Sequence, residues 1–442
     1  TDELLDLIVL ETNKQFEYIV STSPPSEHSR LKKWVPITKK EMKLFLATTM
    51  LMVHNKKIAI EDYWSSDPLH KNSVSKCMSR DRYFIILRLL HFSDNTLPPA
   101  HGKLSKIKEV VDIFRAAFSR NFKPFRNLCI DESLLLFKGQ LGFKMFIPSK
   151  RSRFGIKLFL LCDCETGYIL DSIVYTGKDT DYSNSENLGI SGAIVTTLLQ
   201  NYLNKGHCLF IDNWYSSPDL FTFLHKNKTN ACGTVKSIRL GMPQFQKELE
   251  VGEREALNNG TSIAVRWIDK REVVMLTSEH KDEMVSTGKL DRKTKAAIVK
   301  PISVHDYNQN MGAVDRSDMM IVNVECVRRT TRWYKKLFFH FLDMSILNAH
   351  AIYLCQTGRK PTLQQFHLEL VRQIMADNLE PRTKQKGGRP SVGDNPMRLT
   401  QRHFPSLVPS TEKKKNAQRI CHVCKNTKHG TTHSPTSHSA HW

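Results

Sequence analysis

Apolar and polar positions change rhythm near residue 126, and the change divides the chain. Up to about 125 the apolar residues recur at helical spacing. Thr38 and Glu41 form a T-x-x-E capping box ahead of MKLFLATTMLMV, Ser79 is placed to cap RDRYFIILRLLHF, and a third amphipathic segment covers 105–121. From 126 to 235 short apolar runs alternate with turn signals. Runs at 128–137, 143–148, 156–163 and 168–175 read as successive strands; a helical stretch at 191–203, an apolar run ending in Asp212 and a strand at 231–235 follow. This order predicts a mixed α/β sheet flanked by helices. Residues 236–304 are polar and weakly patterned, with strand-like pieces at 262–267 and 273–277. Helical character returns at 305–324 and again at 325–380. The stretch 381–442 is poor in apolar residues and rich in Pro, Gly, Ser and Lys, the composition of a basic disordered tail.

Composition narrows the partner. The chain has 442 residues and a formal net charge of +21, from 65 basic against 44 acidic residues, which favours a polyanion, and nucleic acid over a lipid surface. No apolar run approaches the roughly 20 residues of a membrane span, the longest lying at 44–53, and no cleavable signal opens the chain, so no membrane partner and an intracellular location are expected. The opening residue, Thr1, fits a piece of a longer product. Ten cysteines are scattered, most of them in apolar runs (Cys77, Cys129, Cys162, Cys208, Cys355), where reduced cysteine acts as a small hydrophobe.

The candidate chemistry lies in carboxylates set among apolar residues. In NLCIDESLLLFKGQLGFKMFIPSKRSRFGIK, Asp131 and Glu132 interrupt a strand, where a carboxylate needs a positive partner. Strand alternation puts Asp131 on one face with Cys129 and Ser133, and Glu132 on the other with Ile130 and Leu134. Six basic residues and no acid follow before Leu161, Lys138, Lys144, Lys150, Arg151, Arg153 and Lys157, and a buried acid followed by such an arm suits a site that binds metal and holds a polyanion, with the last five as DNA-binding candidates. A second apolar run, HCLFIDNWYSS, ends in Asp212 at a turn. In YNQNMGAVDRSDMM, Gly312 allows close backbone approach, and Asp315 and Asp318 share a helix face. Three carboxylates from two strands and a helix suit a two-metal site for phosphodiester chemistry. Arg328, Arg329, Arg332, Trp333, Tyr334, Lys335 and Lys336 mix base and aromatic. They read either as a DNA contact or, for Trp333 and Tyr334, as the start of a buried helix face. In the tail, Gly388-Arg389-Pro390 could lay Arg389 in a minor groove, and 413–415 with Arg419 could act as a nuclear-import signal. Cys421, Cys424, His429 and His433 supply four ligands of zinc type.

The motifs DESLLLFKGQ, IPSKRSRFGIKLFLLCDCETGY, IDNWYSS and YNQNMGAVDRSDMM, in this order, resemble the piggyBac transposase family over roughly residues 31–405. The resemblance implies an RNase H-like catalytic core in two parts, 126–235 and 305–324, separated by an insertion domain at 236–304. It also implies a helical dimerisation and DNA-binding region at 1–125, with 325–380 packing against it. The metal triad carries over onto Asp131, Asp212 and Asp315, with Asp318 as a further acid and two Mg²⁺ ions as cofactor. The implied activity is cut-and-paste transposition through hairpinned ends at TTAA targets, by a nuclear homodimer acting on double-stranded DNA. The family ends in a cysteine-rich domain that binds two zincs. Here the cysteines stop at Cys424, a departure that leaves room for a domesticated DNA-binding protein that no longer transposes, or for a nuclease without strand transfer.

Overall fold

The computed structural model describes all residues except 97–101, 149–152, 184–187, 293, 327–329, 380–411 and 413–442. The chain divides into two units, Thr1–Leu379 and Glu380–Trp442, and the sheet and all described helices belong to the first.

The sheet is built outward from β1 (Asn127–Leu136). It contains β2 (Met145–Phe146), β3 (Phe154–Asp163), β4 (Ile169–Val174), β5 (Cys208–Ile211), β6 (Asn230–Thr234), β7 (Arg254–Asn258), β8 (Ile263–Ile268) and β9 (Glu272–Thr277). The order is β2-β3-β1-β5-β6-β9-β8-β7, with β4 also paired to β3. β1, β3 and β4 form an antiparallel meander, whereas β1, β5 and β6 run parallel. Parallel strands covered on both faces need apolar side chains on both, and this sequence supplies them. Cys129, Phe210 and Cys232 point into one core cluster. Leu128, Ile130, Leu209, Ile211 and Ala231 point into the other.

Two expectations change at this level. The segment 236–304 is an insertion in sequence, but its first strands are not a separate body: β9 pairs antiparallel with β6, and β8 and β7 extend the same sheet. The pieces expected at 262–267 and 273–277 are β8 and β9; the polar composition of the segment hid β7 and the attachment to the sheet, because an edge extension needs only one well-buried face. Beyond them, β10 (Met284–Leu290) and β11 (Ala297–Pro301) form a two-stranded hairpin.

The helices are α1 (Asp2–Thr22), α2 (Lys39–Leu51), α3 (Val74–Cys77), α4 (Arg80–Leu89), α5 (Lys108–Asn121), α6 (Gly189–Leu199), α7 (Pro218–Lys226), α8 (Ile302–Asn310), α9 (Ala313–Val324), α10 (Trp333–Thr357) and α11 (Leu363–Asn378). The second change concerns α10, which is long and apolar enough to cross a membrane, contrary to the expectation from sequence. Most of it is buried inside the protein, as befits a core helix. Its Phe341 stacks on Phe114 of α5, ring centroids 5.4 Å apart. Through such contacts the N-terminal helices, α10 and one face of the sheet share a single core, and α11 packs on α2. α6 and α7 cover the opposite face through Ile194, Leu198, Leu220 and Leu224.

Local signals mostly hold. Thr38 Oγ1 accepts the Glu41 N–H at 3.2 Å, but the Glu41 carboxylate takes two 2.6 Å bonds from Arg82 instead of closing the capping box. Among the described cysteines all are free; Cys129, Cys162 and Cys208 are buried as expected, whereas Cys355 is exposed, because it falls on the outer side of α10 near its end.

Candidate active site

The site starts from one register. β1 and β5 run parallel with Ile130 opposite Ile211, so the next residue on each strand, Asp131 and Asp212, emerges in step on strands about 4.8 Å apart. Asp131 keeps to the Cys129 and Ser133 face, and its Oδ1 accepts the Glu132 N–H at 2.8 Å. Asp212 ends its strand and shapes the turn after it. Its Oδ1 accepts the Trp214 backbone N–H at 2.8 Å, and its carbonyl accepts from Tyr215 N, Ser216 N and Ser216 Oγ. This is the Asx-type turn that an aspartate at a strand end favours.

The third acid comes from the helix beside β1. The Cys129 thiol points to the Met311 carbonyl, 3.7 Å away, and Ser133 Oγ donates to Asp318 Oδ1 at 2.7 Å. Met311 lies in the short turn between α8 and α9, and Asp318 on α9 itself, so α9 starts beside Cys129 and packs along β1 toward Ser133. Asp315 lies on α9 between these two contacts. Asp315 is exposed, and Asp318 is half-buried against Ser133. Ser317 Oγ donates to the Gly167 carbonyl and Arg316 to the Cys164 carbonyl, fixing the helix against the β3–β4 turn. Gly312 does not have the expected role. A Cβ there would meet nothing within 4 Å, so the close approach is made by side chains and not by a bare backbone.

Negative charge accumulates at this end of the sheet. Burial, reinforced by the neighbouring Glu132 carboxylate, raises the Asp212 carboxyl above its ordinary value, against the opposing Trp214 N–H and the Lys157 charge. Burial, then the charges of Glu132, Asp131 and Asp212, push the Tyr215 phenol well up. The acids are hard oxygen donors in a field that a divalent cation would relieve, and in kind they fit Mg²⁺. Among the described residues no three His, Cys, Asp or Glu side chains lie close enough together to hold a metal ion. Asp131 and Asp212 follow the paired residues Ile130 and Ile211 on neighbouring strands, and Asp315 lies on the helix that packs along β1.

The basic candidates separate. Lys157 is already engaged: its Nζ lies 3.1 Å from Glu132 Oε1, over the rings of Phe159 and Trp214. The pairing follows from register, since Glu132 faces Phe159 and Lys157 is two residues along on the same face. Lys144 donates to the Gly139 carbonyl at 3.1 Å, and Arg153 and Arg332 are exposed. Trp333 takes the second of its two readings: it is half-buried at the start of α10, edge-on to Phe143 with centroids 5.3 Å apart, and Tyr334 is buried. A ring spent on packing is not free to stack on a base. Lys150, Arg151, Arg328, Arg329, Arg389, Cys421, Cys424, His429 and His433 lie outside the described residues. Asp163 and Asp171 belong elsewhere, Asp163 capping the turn through Thr166 and Asp171 pairing with Arg115. Sequence reasoning missed Trp214, Lys236 and Arg239, which line a cleft beside Asp212. Only the position of Trp214 two residues after an acid hinted at it.

A meander followed by two parallel strands, flanked by helices on both faces, is the architecture of an RNase H-like core. A family model described as "Transposase IS4" matches residues 1–350. The chain is 24% identical over 368 residues to human PiggyBac transposable element-derived protein 3, covering 80% of this chain and 62% of that protein. It is 23% identical over 355 residues to human PiggyBac transposable element-derived protein 2, covering 73% and 57%. The chain thus spans about 60% of the length of these relatives. In fold it is similar to a piggyBac transposase solved by cryo-EM as a synaptic complex with hairpin DNA, with TM-score 0.73, 23% identity, and 96% of this chain and 92% of that one covered. The chain belongs to the piggyBac transposase family, and its sheet and flanking helices form an RNase H-like core.

Proposed function

We propose that this protein is a metal-dependent DNA transposase of the cut-and-paste type, working on double-stranded DNA as a nuclear homodimer. The observation that supports the reading is the parallel register of β1 and β5, after which Asp131 and Asp212 follow in step, together with the packing along β1 of α9, which carries Asp315 and Asp318. In this reading Asp131, Asp212 and Asp315 hold two Mg²⁺ ions, which when bound activate the attacking oxygen and stabilise the leaving one. Asp318, held by Ser133, orients the helix that carries Asp315. Glu132 and Lys157 neutralise each other on the opposite face, so that only one strand carboxylate from β1 enters the site. The positive excess outside the pair, Arg153 and Arg332 included, tracks phosphates. The reaction course of the family adds hairpinned ends and TTAA targets to this reading.

A second reading, binding without transposition, is favoured by the names of its human relatives, which are described as transposable element-derived. One assay separates the two: DNA carrying the terminal repeats that flank this gene, incubated with the purified chain in Mg²⁺ or in EDTA. Mg²⁺-dependent nicking and joining supports the transposase. A retarded band with intact strands in both conditions overturns it in favour of the binding protein, and cutting without joining points to a nuclease.

A further inference from the structure

We propose that the cleft beside Asp212 receives an unpaired nucleobase of a DNA strand, with Trp214 as its stacking platform. The proposal rests on the DNA-processing reading of this chain and concerns the Glu132 face of the sheet, where Lys157 and Phe159 line the cleft. Trp214 is 38% exposed, on the turn that Asp212 begins. It is nonetheless held from several sides. Its backbone N–H donates to Asp212 Oδ1, and its carbonyl and that of Asn213 accept from the Arg239 guanidinium at 3.1 and 2.6 Å. Phe159 lies against one face of the ring with centroids 5.6 Å apart and planes 11° apart, and Tyr215 meets it edge-on at 4.7 Å. Lys157 Nζ sits 5.2 Å from its centroid.

An indole so fixed has little conformational entropy left to lose on binding, which is what a binding platform requires. With Phe159 on one face, the exposed part of the ring is turned to a cleft of about 810 Å³, within the range that holds small ligands. Lys236 and Arg239 line the same cleft, and Ile238 and Leu240 on its rim are 90% and 85% exposed. Aromatic floor, cationic wall and apolar rim together match a flat aromatic group bearing a phosphate. A base inside a duplex has both faces covered by its neighbours, so only an unpaired or extruded one can lie on this ring.

The test is fluorescence-anisotropy titration of the full chain without Mg²⁺, using a blunt duplex and the same duplex with a short single-stranded 3′ extension. The wild-type chain should bind the extended duplex more tightly. Trp214→Ala should lose about 10–100-fold for the extended duplex, the range of a lost base–aromatic stack, with blunt-duplex affinity unchanged; Trp214→Phe should retain most of the preference. An extension made of abasic sugars should bring wild type down to the level of Trp214→Ala and lower that variant no further. Extension preference that survives Trp214→Ala, or an abasic extension bound as tightly as a normal one, overturns the proposal. Binding is read without cleavage, so a chain that fails to cut its own terminal repeats refutes the transposase reading and leaves this result standing.

Discussion

Gly233 sits on β6 opposite Ile211, one residue before Asp212. A Cβ at Gly233 would lie 2.5 Å from the Ile211 carbonyl oxygen and 2.5 Å from Ser216 Oγ, where ordinary contact begins near 3.4 Å. Neither obstacle yields easily: one is backbone, and the other is a buried hydroxyl that donates to the Asp212 carbonyl at 3.0 Å. Gly233→Ala must therefore push the end of β5 and its turn away by about 0.9 Å. Overpacking of this kind costs about 1–3 kcal/mol. A displacement near 1 Å at a catalytic group costs about 100-fold in rate. Urea unfolding and Mg²⁺-dependent cleavage of a matched DNA substrate measure the two effects separately. Gly312→Ala is the control: nothing lies within 4 Å of the added carbon, so it should cost no more than about 1 kcal/mol, the loss of a glycine at a helix N-cap. An unfolding midpoint and a cleavage rate for Gly233→Ala equal to wild type would refute the idea that β6 sets the position of Asp212.

Asp131→Asn and Asp212→Asn should each abolish Mg²⁺-dependent cleavage and leave DNA binding nearly intact in gel-shift titration, since a carboxamide cannot replace an anionic ligand to a hard cation; cleavage retained by either variant removes that residue from the site. In single-turnover cleavage Asp315→Ala should be inactive and Asp318→Ala slower by about 10–100-fold, with Ser133→Ala resembling the latter because its hydroxyl holds Asp318. The reverse ranking would make Asp318 the ligand. Arg115 bonds Asp171 at 2.7 and 2.9 Å with both side chains largely buried; Arg115→Met should destabilise by about 3–5 kcal/mol and Arg115→Met with Asp171→Leu by much less. Equal losses in urea unfolding would mean that the pair, and not the stranded carboxylate, carries the energy. Burial raises the Asp343 carboxyl well above its ordinary 3.8, against two contacts from the Cys326 N–H. The folded state then holds a proton that the unfolded chain releases, so stability is greatest below pH 4 on this account and falls as pH rises. Asp343→Asn should flatten that slope above pH 4, and an unchanged slope assigns the pH dependence to other groups.

The periodicity of the chain was enough to locate the strands around Asp131 and Asp212, the helix that carries Asp315 and Asp318, and the opposite facing of Asp131 and Glu132. These are local properties: alternation and helical spacing state which side of an element is apolar. They do not state which element lies beside which. The pairing of Ile130 with Ile211, and hence of the two acids, joins residues far apart in the chain through backbone hydrogen bonds to which any side chain contributes equally. For the same reason the strands of the 236–304 segment were legible only as weak pieces, and their place at the edge of the sheet came from pairing with β6. Lys157 looked like a free contact and Trp333 stayed open between two readings, because composition records a charge or a ring and not its neighbour. The partners, Glu132 and Phe143, arrive from other strands and loops. The exposed ring of Trp214 shows the converse: an apolar run predicts burial, and only packing around a completed sheet decides which aromatic is left uncovered beside the acids.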